Sequence, residues 1–149
     1  MEYSEDTVME TRGLTFSYDG EQNILENLDF AIPAGKVTVL MGANGCGKST
    51  LFKLMTKNLY PDEGSIILEG EDIDEMRLKD FAKKVAIVHQ NNTAPPDLTV
   101  ERLVGYGRTP YLGAFQTAGG QEDEEAVEWA MEITDVKKHR NKSVAELSG

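Results

Sequence analysis

The 149 residues are 40% hydrophobic and 28% charged, which excludes an intrinsically disordered chain and makes one ordinary domain the expectation. With 26 acidic against 15 basic residues the formal charge is −11, which argues against a broad nucleic-acid or anionic-membrane footprint and requires any anionic ligand to have a locally built site. Cys46 is the single cysteine, no apolar run approaches the roughly 20 residues of a bilayer span, and the acidic start (Glu2, Glu5, Asp6) is unlike a signal peptide, so disulfides and a cysteine metal cluster are excluded and the cytoplasm is the expected location.

Met9 to Tyr18 and Asn27 to Ile32 alternate apolar with polar side chains around an Asp19-Gly20 turn, which predicts an antiparallel β element. After the breaker Pro33-Ala34-Gly35, the β-branched run Val37 to Met41 lacks polar alternation, the pattern of a parallel strand covered on both faces. Leu51, Phe52, Leu54 and Met55 then recur at helical spacing within Ser49 to Asn58, before Tyr60-Pro61-Asp62-Glu63-Gly64 breaks the pattern. Ser65 to Leu68 and Val85 to Val88 read as two further strands, separated by a polar stretch with a short helix near Glu75 to Ala82. Asn91 to Asp97 is a Pro-containing loop, Thr99 is placed to cap a helix from Val100, and Gly105, Gly107, Pro110 and Gly113 punctuate the stretch after it. Glu122 to Thr134 predicts a helix with Ala126, Trp129, Ala130 and Ile133 on one face and a solvated, acid-rich start. The expected fold class is α/β, with a helical last third separate from the sheet.

Gly42-Ala43-Asn44-Gly45-Cys46-Gly47-Lys48-Ser49 matches the P-loop pattern and stands between an expected strand and an expected helix, the context that the motif requires. The glycines let successive backbone N–H groups converge on phosphate oxygens, and the helix N-terminus adds unpaired donors and partial positive charge. Lys48 is placed to reach the β- and γ-phosphates of ATP, Ser49 to coordinate the accompanying Mg²⁺, and Thr50 to bond the α-phosphate side. Cys46, inside the loop, is either a thiol that bound ATP shields from alkylation or an inert small residue.

A P-loop alone leaves kinases, GTPases and transport ATPases open. Around it, Tyr18, the form GANGCGKST, Gln90 after the Val85 to His89 strand, and the terminal Leu147-Ser148-Gly149 together resemble the ABC transporter ATPases in order and spacing. That resemblance implies a RecA-like P-loop NTPase core with an N-terminal antiparallel β subdomain (1–94) and a helical subdomain (95–149) that ends within the signature motif. It implies that Tyr18 stacks on adenine, that Gln90 is the Q-loop residue contacting Mg²⁺ or the attacking water, and that Ser148 and Gly149 grip ATP held by a second copy of the subunit. The implied partners are that second copy and a membrane permease, at the inner face of the cell membrane, with no nucleic acid. Val104-Gly105-Tyr106-Gly107-Arg108-Thr109-Pro110-Tyr111-Leu112-Gly113 is similar to the GR-x-P segment of importers for ferric siderophores, haem and cobalamin. His89 and Trp129 are read as structural.

The Walker B strand, catalytic glutamate, D-loop and switch histidine of that family lie beyond the signature, and none matches residues up to Gly149. Met131 to Asp135 is rejected as Walker B because its apolar residues keep helical periodicity. Without a carboxylate to orient the attacking water, the chain is expected to bind nucleotide but scarcely hydrolyse it. It is also expected to leave apolar surface and a strand edge open beside Val37 to Met41, and so to be marginally stable alone. The alternatives are a naturally truncated, non-catalytic nucleotide-binding or interaction module and, disfavoured because it explains neither Gln90 nor Leu147-Ser148-Gly149, a soluble P-loop kinase.

Overall fold

The computed structural model describes residues 6–89, 94–113 and 120–147, which divide into two compact units, 1–81 and 82–149. In the first unit β1 (Thr7–Ser17), β2 (Asn23–Pro33), β3 (Glu63–Leu68) and β4 (Glu71–Asp72) form one antiparallel sheet in the order β2-β1-β3-β4. The sheet buries Met9, Leu14 and Phe16 from β1 and Ile66, Ile67 and Leu68 from β3, each stabilising the fold by roughly 1.5–3 kcal/mol through lost apolar surface. Glu10 shares this environment at 5% exposure because its carboxylate accepts from the Arg12 guanidinium at 2.7 Å, which offsets its desolvation.

The opening hairpin is as expected, except that β2 begins at Asn23 rather than Asn27. A register shift between Thr11 and Leu14 of β1, with Gly13 at φ 58 and Asn27 at φ 46, breaks the alternation there. Gly13 N donates to Asp29 Oδ1 at 2.7 Å and Asn27 N to Thr15 Oγ1 at 3.0 Å, so side chains replace the missing ladder partners. Helix α1 (Lys48–Met55) starts where predicted but ends at Met55 rather than Asn58, and buries Thr50, Leu51, Leu54 and Met55; Lys57, just beyond it, donates to the carbonyls of Ile73 and Met76 and ties down the turn after β4. Helix α2 (Leu78–Lys84) begins later than the expected Glu75.

Two expected strands are absent. Val37 to Met41 and Val85 to Val88 have extended sequence patterns, yet neither belongs to a sheet, and Val37, Met41 and Val88 are 93%, 85% and 93% exposed. A buried parallel strand needs ladder partners alongside and helices on both faces. Among the described residues no strand supplies those partners, and the apolar run stands open as expected of an unpaired edge.

In the second unit, α3 (Val100–Gly105) starts at Thr99, whose hydroxyl accepts from Arg102 N at 3.3 Å, the cap read from the sequence. A 3-10 turn (Tyr106–Tyr111) continues it, and α4 (Gln121–Ile133) packs against α3. The face that carries Ala126, Trp129, Ala130 and Ile133 is not the one most covered: Trp129 and Ile133 are 64% and 66% exposed, whereas Met131 is fully buried. Periodicity shows that a helix has an apolar stripe, but the position of α3 decides which side is covered. Because α4 is helical through Ile133, Met131 to Asp135 is not a strand.

Candidate functional site

The loop between β2 and α1 closes over the helix start. Gly47 is the residue before α1 at φ 90, and a Cβ there would come within 2.9 Å of Leu25 Cδ2 and 3.2 Å of the Ile24 carbonyl, so the turn needs both a left-handed backbone and no side chain. At Gly42 a Cβ would meet Cys46 Sγ at 2.8 Å. The backbone amides of Gly47, Lys48, Ser49 and Thr50 make no hydrogen bond among the described residues, which leaves the helix N-terminus with its donors and partial positive charge available.

Lys48 Nζ folds back on the same loop, donating to the carbonyl oxygens of Gly42 at 2.8 Å and Ala43 at 2.6 Å and lying 3.5 Å from Cys46 Sγ. Its ammonium is thus held at the loop mouth by weak acceptors that an anion of higher charge would displace. Together with Tyr18, Asn44, Gly45, Ser49 and Thr50, Lys48 lines a cavity of about 330 Å³. Gly45 contributes conformation only, with φ 82 and open space where a side chain would be.

Tyr18 reaches this cavity from the hairpin. Its hydroxyl lies 3.2 Å from Thr50 Oγ1, its ring meets Phe16 edge-on at 4.9 Å, and it remains 58% exposed, so aromatic surface is left for a ligand. Ser17 N donates to Asp62 Oδ2 at 2.7 Å, which holds the strand end before it. On the far side, Asp19 Oδ1 accepts from the amides of Glu21 and Gln22 at 2.9 and 3.1 Å and from the Ser17 hydroxyl. The Gln22 amide foremost, then Glu21 and the Ser17 hydroxyl, lower the Asp19 pKa from 3.8 to about 2. A carboxyl with a depressed folded-state pKa stabilises its turn above the ordinary value and loses that contribution as pH falls towards 2. In an NMR titration the Glu21 and Gln22 amide shifts are expected to move with a midpoint near 2; a midpoint near 3.8 would show that the turn does not hold the carboxylate.

The structure therefore brings Tyr18, Gly42, Asn44, Gly45, Cys46, Gly47, Lys48, Ser49 and Thr50 to one loop and its rim. Gln90, Ser148 and Gly149 lie outside the described residues. Ile24 also lines the cavity and was missed, because a strand begun at Asn27 leaves it in a turn. A larger cavity of about 610 Å³ lies between α3 and α4, but Arg108 and Arg140 on its wall are paired with Asp123 at 2.5 Å and with Glu101 and Glu128 at 2.5 and 2.7 Å. Its lining carries Glu101, Asp123, Glu124 and Glu128 against Arg102, Arg108 and Arg140, a net negative wall that disfavours a phosphate, so the smaller cavity is the better candidate. The GR-x-P arginine is not solvated: Arg108 lies 3.9 Å over the Tyr111 ring and is fixed by Asp123, which also accepts from Gly120 N at the start of α4.

Residues 25–149 match the ABC transporter family. The chain belongs to that family. The iron(3+)-hydroxamate import ATP-binding protein of Bacillus subtilis is 40% identical over 141 residues, 95% of this chain and 52% of the relative. The ferric enterobactin transport ATP-binding protein of Escherichia coli is 40% identical over 146 residues, 97% of this chain and 53% of the relative. The chain thus spans about half the length of these ABC relatives. Among solved structures, an ABC protein of Clostridium perfringens described as part of an ABC transporter complex superposes with a TM-score of 0.80 at 26% identity, covering 97% of this chain and 57% of that one. Among the described residues of this ABC chain, no helix is long and apolar enough to cross a membrane and no group of three His, Cys, Asp or Glu side chains is placed to hold a metal.

Proposed function

We propose that the chain is the ATP-binding part of an ABC importer for a ferric siderophore or related metal chelate. The supporting observation is the loop itself: unpaired amides at the α1 start and the Lys48 ammonium share a cavity whose rim carries the Tyr18 ring. The triphosphate lies on the Gly42 to Thr50 loop, with Lys48 moving from the Gly42 and Ala43 carbonyls to the β- and γ-phosphates, and adenine stacks on Tyr18. The exposed Ser49 hydroxyl is a hard oxygen donor suited to Mg²⁺ beside phosphate oxygens and water, and Gln90 is the second expected contact. Bound there, Mg²⁺ neutralises phosphate charge.

The iron-chelate assignment draws on the import functions named for the Bacillus subtilis and Escherichia coli relatives and on the Gly107-Arg108-Thr109-Pro110 segment. By the same reading, residues 95–149 form the helical subdomain, Ser148 and Gly149 face ATP on a second copy, and a membrane permease docks at the inner face of the membrane. The 149-residue chain itself binds ATP and hydrolyses it poorly or not at all, since none of its residues takes the place of the water-activating carboxylate.

Three measurements test this. Saturating MgATP is expected to slow alkylation of the exposed Cys46 severalfold while phosphate release stays at background. Cells deleted for the encoding gene are expected to lose uptake of radioactive iron supplied as a siderophore complex. Equal labelling rates with and without MgATP would remove the shielding of Cys46, no heat of association on calorimetric titration with MgATP would remove the nucleotide assignment, and undiminished uptake would remove the cargo.

A further inference from the structure

Two contacts join the opening hairpin to the start of α1. Near the hairpin end Phe16 pairs with Leu25 and Ser17 with Asn23. From β2, the Leu25 side chain and the Ile24 carbonyl lie so close to Gly47 that a Cβ there would meet them at 2.9 and 3.2 Å. From the end of β1, the Tyr18 hydroxyl lies 3.2 Å from Thr50 Oγ1. Thr50 is 6% exposed, stands in the first turn of α1 and lines the cavity, so the second contact reaches the phosphate loop itself.

The Thr50 hydroxyl is used differently from those of two other helix-end threonines. Thr56 and Thr134 donate back to the carbonyls of Phe52 and Ala130, four residues earlier, each at 2.7 Å. That back-bond is one reason why a helical threonine divides between two rotamers. Among the described residues Thr50 Oγ1 makes no such bond, and its partner is the Tyr18 phenol. A hydroxyl has one proton and two lone pairs, so a Thr50 oxygen that accepts from Tyr18 keeps its proton for a phosphate oxygen. Tyr18 is itself held: buried Phe16 meets its ring edge-on at 4.9 Å, Asp62 Oδ2 accepts from Ser17 N at 2.7 Å, and Asp62 N donates to the Thr15 carbonyl at 3.0 Å.

We infer that the Tyr18 hydroxyl is a positioning group for the phosphate loop: bonded to Thr50 Oγ1, it turns the Thr50 O–H toward the cavity and strengthens the grip on a triphosphate whatever base is attached. The inference rests on the nucleotide reading above. Stacking on adenine needs the ring and not the hydroxyl, so the two roles of Tyr18 separate. The bonded pair also forms a chain, in which the phenol polarises the Thr50 hydroxyl that meets the anion.

The test is titration calorimetry of the full chain with MgATP and with magnesium tripolyphosphate, which carries the phosphates and no base. The variants are Tyr18→Phe, which keeps the ring, and Thr50→Val, which keeps the branched shape, each alone and the two together. Because the Tyr18 ring is more than half exposed, removing its hydroxyl leaves the hairpin folded. Tyr18→Phe is expected to weaken both ligands by the same factor, about threefold to tenfold, the scale of one hydrogen bond. In the Thr50→Val background the same substitution is expected to change either affinity by less than about twofold, since its route to the phosphate is already cut. Unchanged affinity in Tyr18→Phe, a loss confined to MgATP, additive losses in the double variant, or no tripolyphosphate binding by the unsubstituted chain overturns the inference. Failure of the unsubstituted chain to bind MgATP overturns the nucleotide reading instead.

Discussion

Replacing Lys48 by Ala is expected to weaken MgATP binding about ten- to a hundredfold, because it removes charge-assisted hydrogen bonds worth roughly 1.5–3 kcal/mol. The fold should tolerate the change. Among the described residues Lys48 Nζ contacts the Gly42 and Ala43 carbonyls and Cys46 Sγ, all in an exposed loop where water replaces it at little cost. Titration calorimetry and a thermal melt separate the two quantities: affinity falls while the midpoint stays within a few degrees. An affinity within twofold of the unsubstituted chain would mean that the loop holds phosphate through its amides alone, or does not hold it. Arg at the same position is not a conservative control, since its broad guanidinium does not replace a compact ammonium at a loop mouth.

The second large effect lies in the sheet. Gly64→Ala is expected to cost about 3 kcal/mol or more, a substantial share of the roughly 5–15 kcal/mol that stabilises a domain. Gly64, the second residue of β3, has φ 84, and a Cβ there would collide with the backbone carbonyls of Arg12 and Gly13 on β1, so the β1–β3 pairing must part. Gly45 supplies the control. It has nearly the same backbone angle, φ 82, with nothing within 4 Å of a built Cβ, so Gly45→Ala should cost only about 1–2 kcal/mol of backbone strain. Urea unfolding monitored by circular dichroism is expected to show a much lower midpoint for Gly64→Ala than for Gly45→Ala. Coincident midpoints would mean that strain alone, and not the cross-strand collision, sets the role of Gly64. The same contrast applies within the P-loop, where Gly47 resembles Gly64 in having both a positive φ and close neighbours.

Much of the site was legible because P-loop chemistry is local. Successive residues from Gly42 to Thr50 belong to one short loop, so spacing in sequence nearly equals spacing in space, and the structure gathers Asn44, Gly45, Gly47, Lys48, Ser49 and Thr50 at one cavity. Tyr18 is a harder case: its alternating strand was visible, but its hydroxyl contact with Thr50 depends on how the hairpin returns to the helix start. Asp19-Gly20 was legible as a turn, whereas the hydrogen bonds that pull the Asp19 pKa to about 2 required the fold of Ser17 to Gln22. The pattern around Arg108 was legible, but that Asp123 and Tyr111 lie against its guanidinium is visible only in the fold.

By itself the sequence determined the hairpin, the glycine loop, the start of α1, the Thr99 cap and the existence of α4, all of which depend on residues close together in the chain. Tertiary structure decided which face of α4 is buried, where the bulge at Gly13 and Asn27 interrupts β2, and how the segment 140–144 lies along 98–101. It also decided that Val37 to Met41 stays outside a sheet. Apolar, β-branched composition makes a segment competent to be a strand, but the ladder hydrogen bonds belong to its neighbours, and no local pattern can supply them.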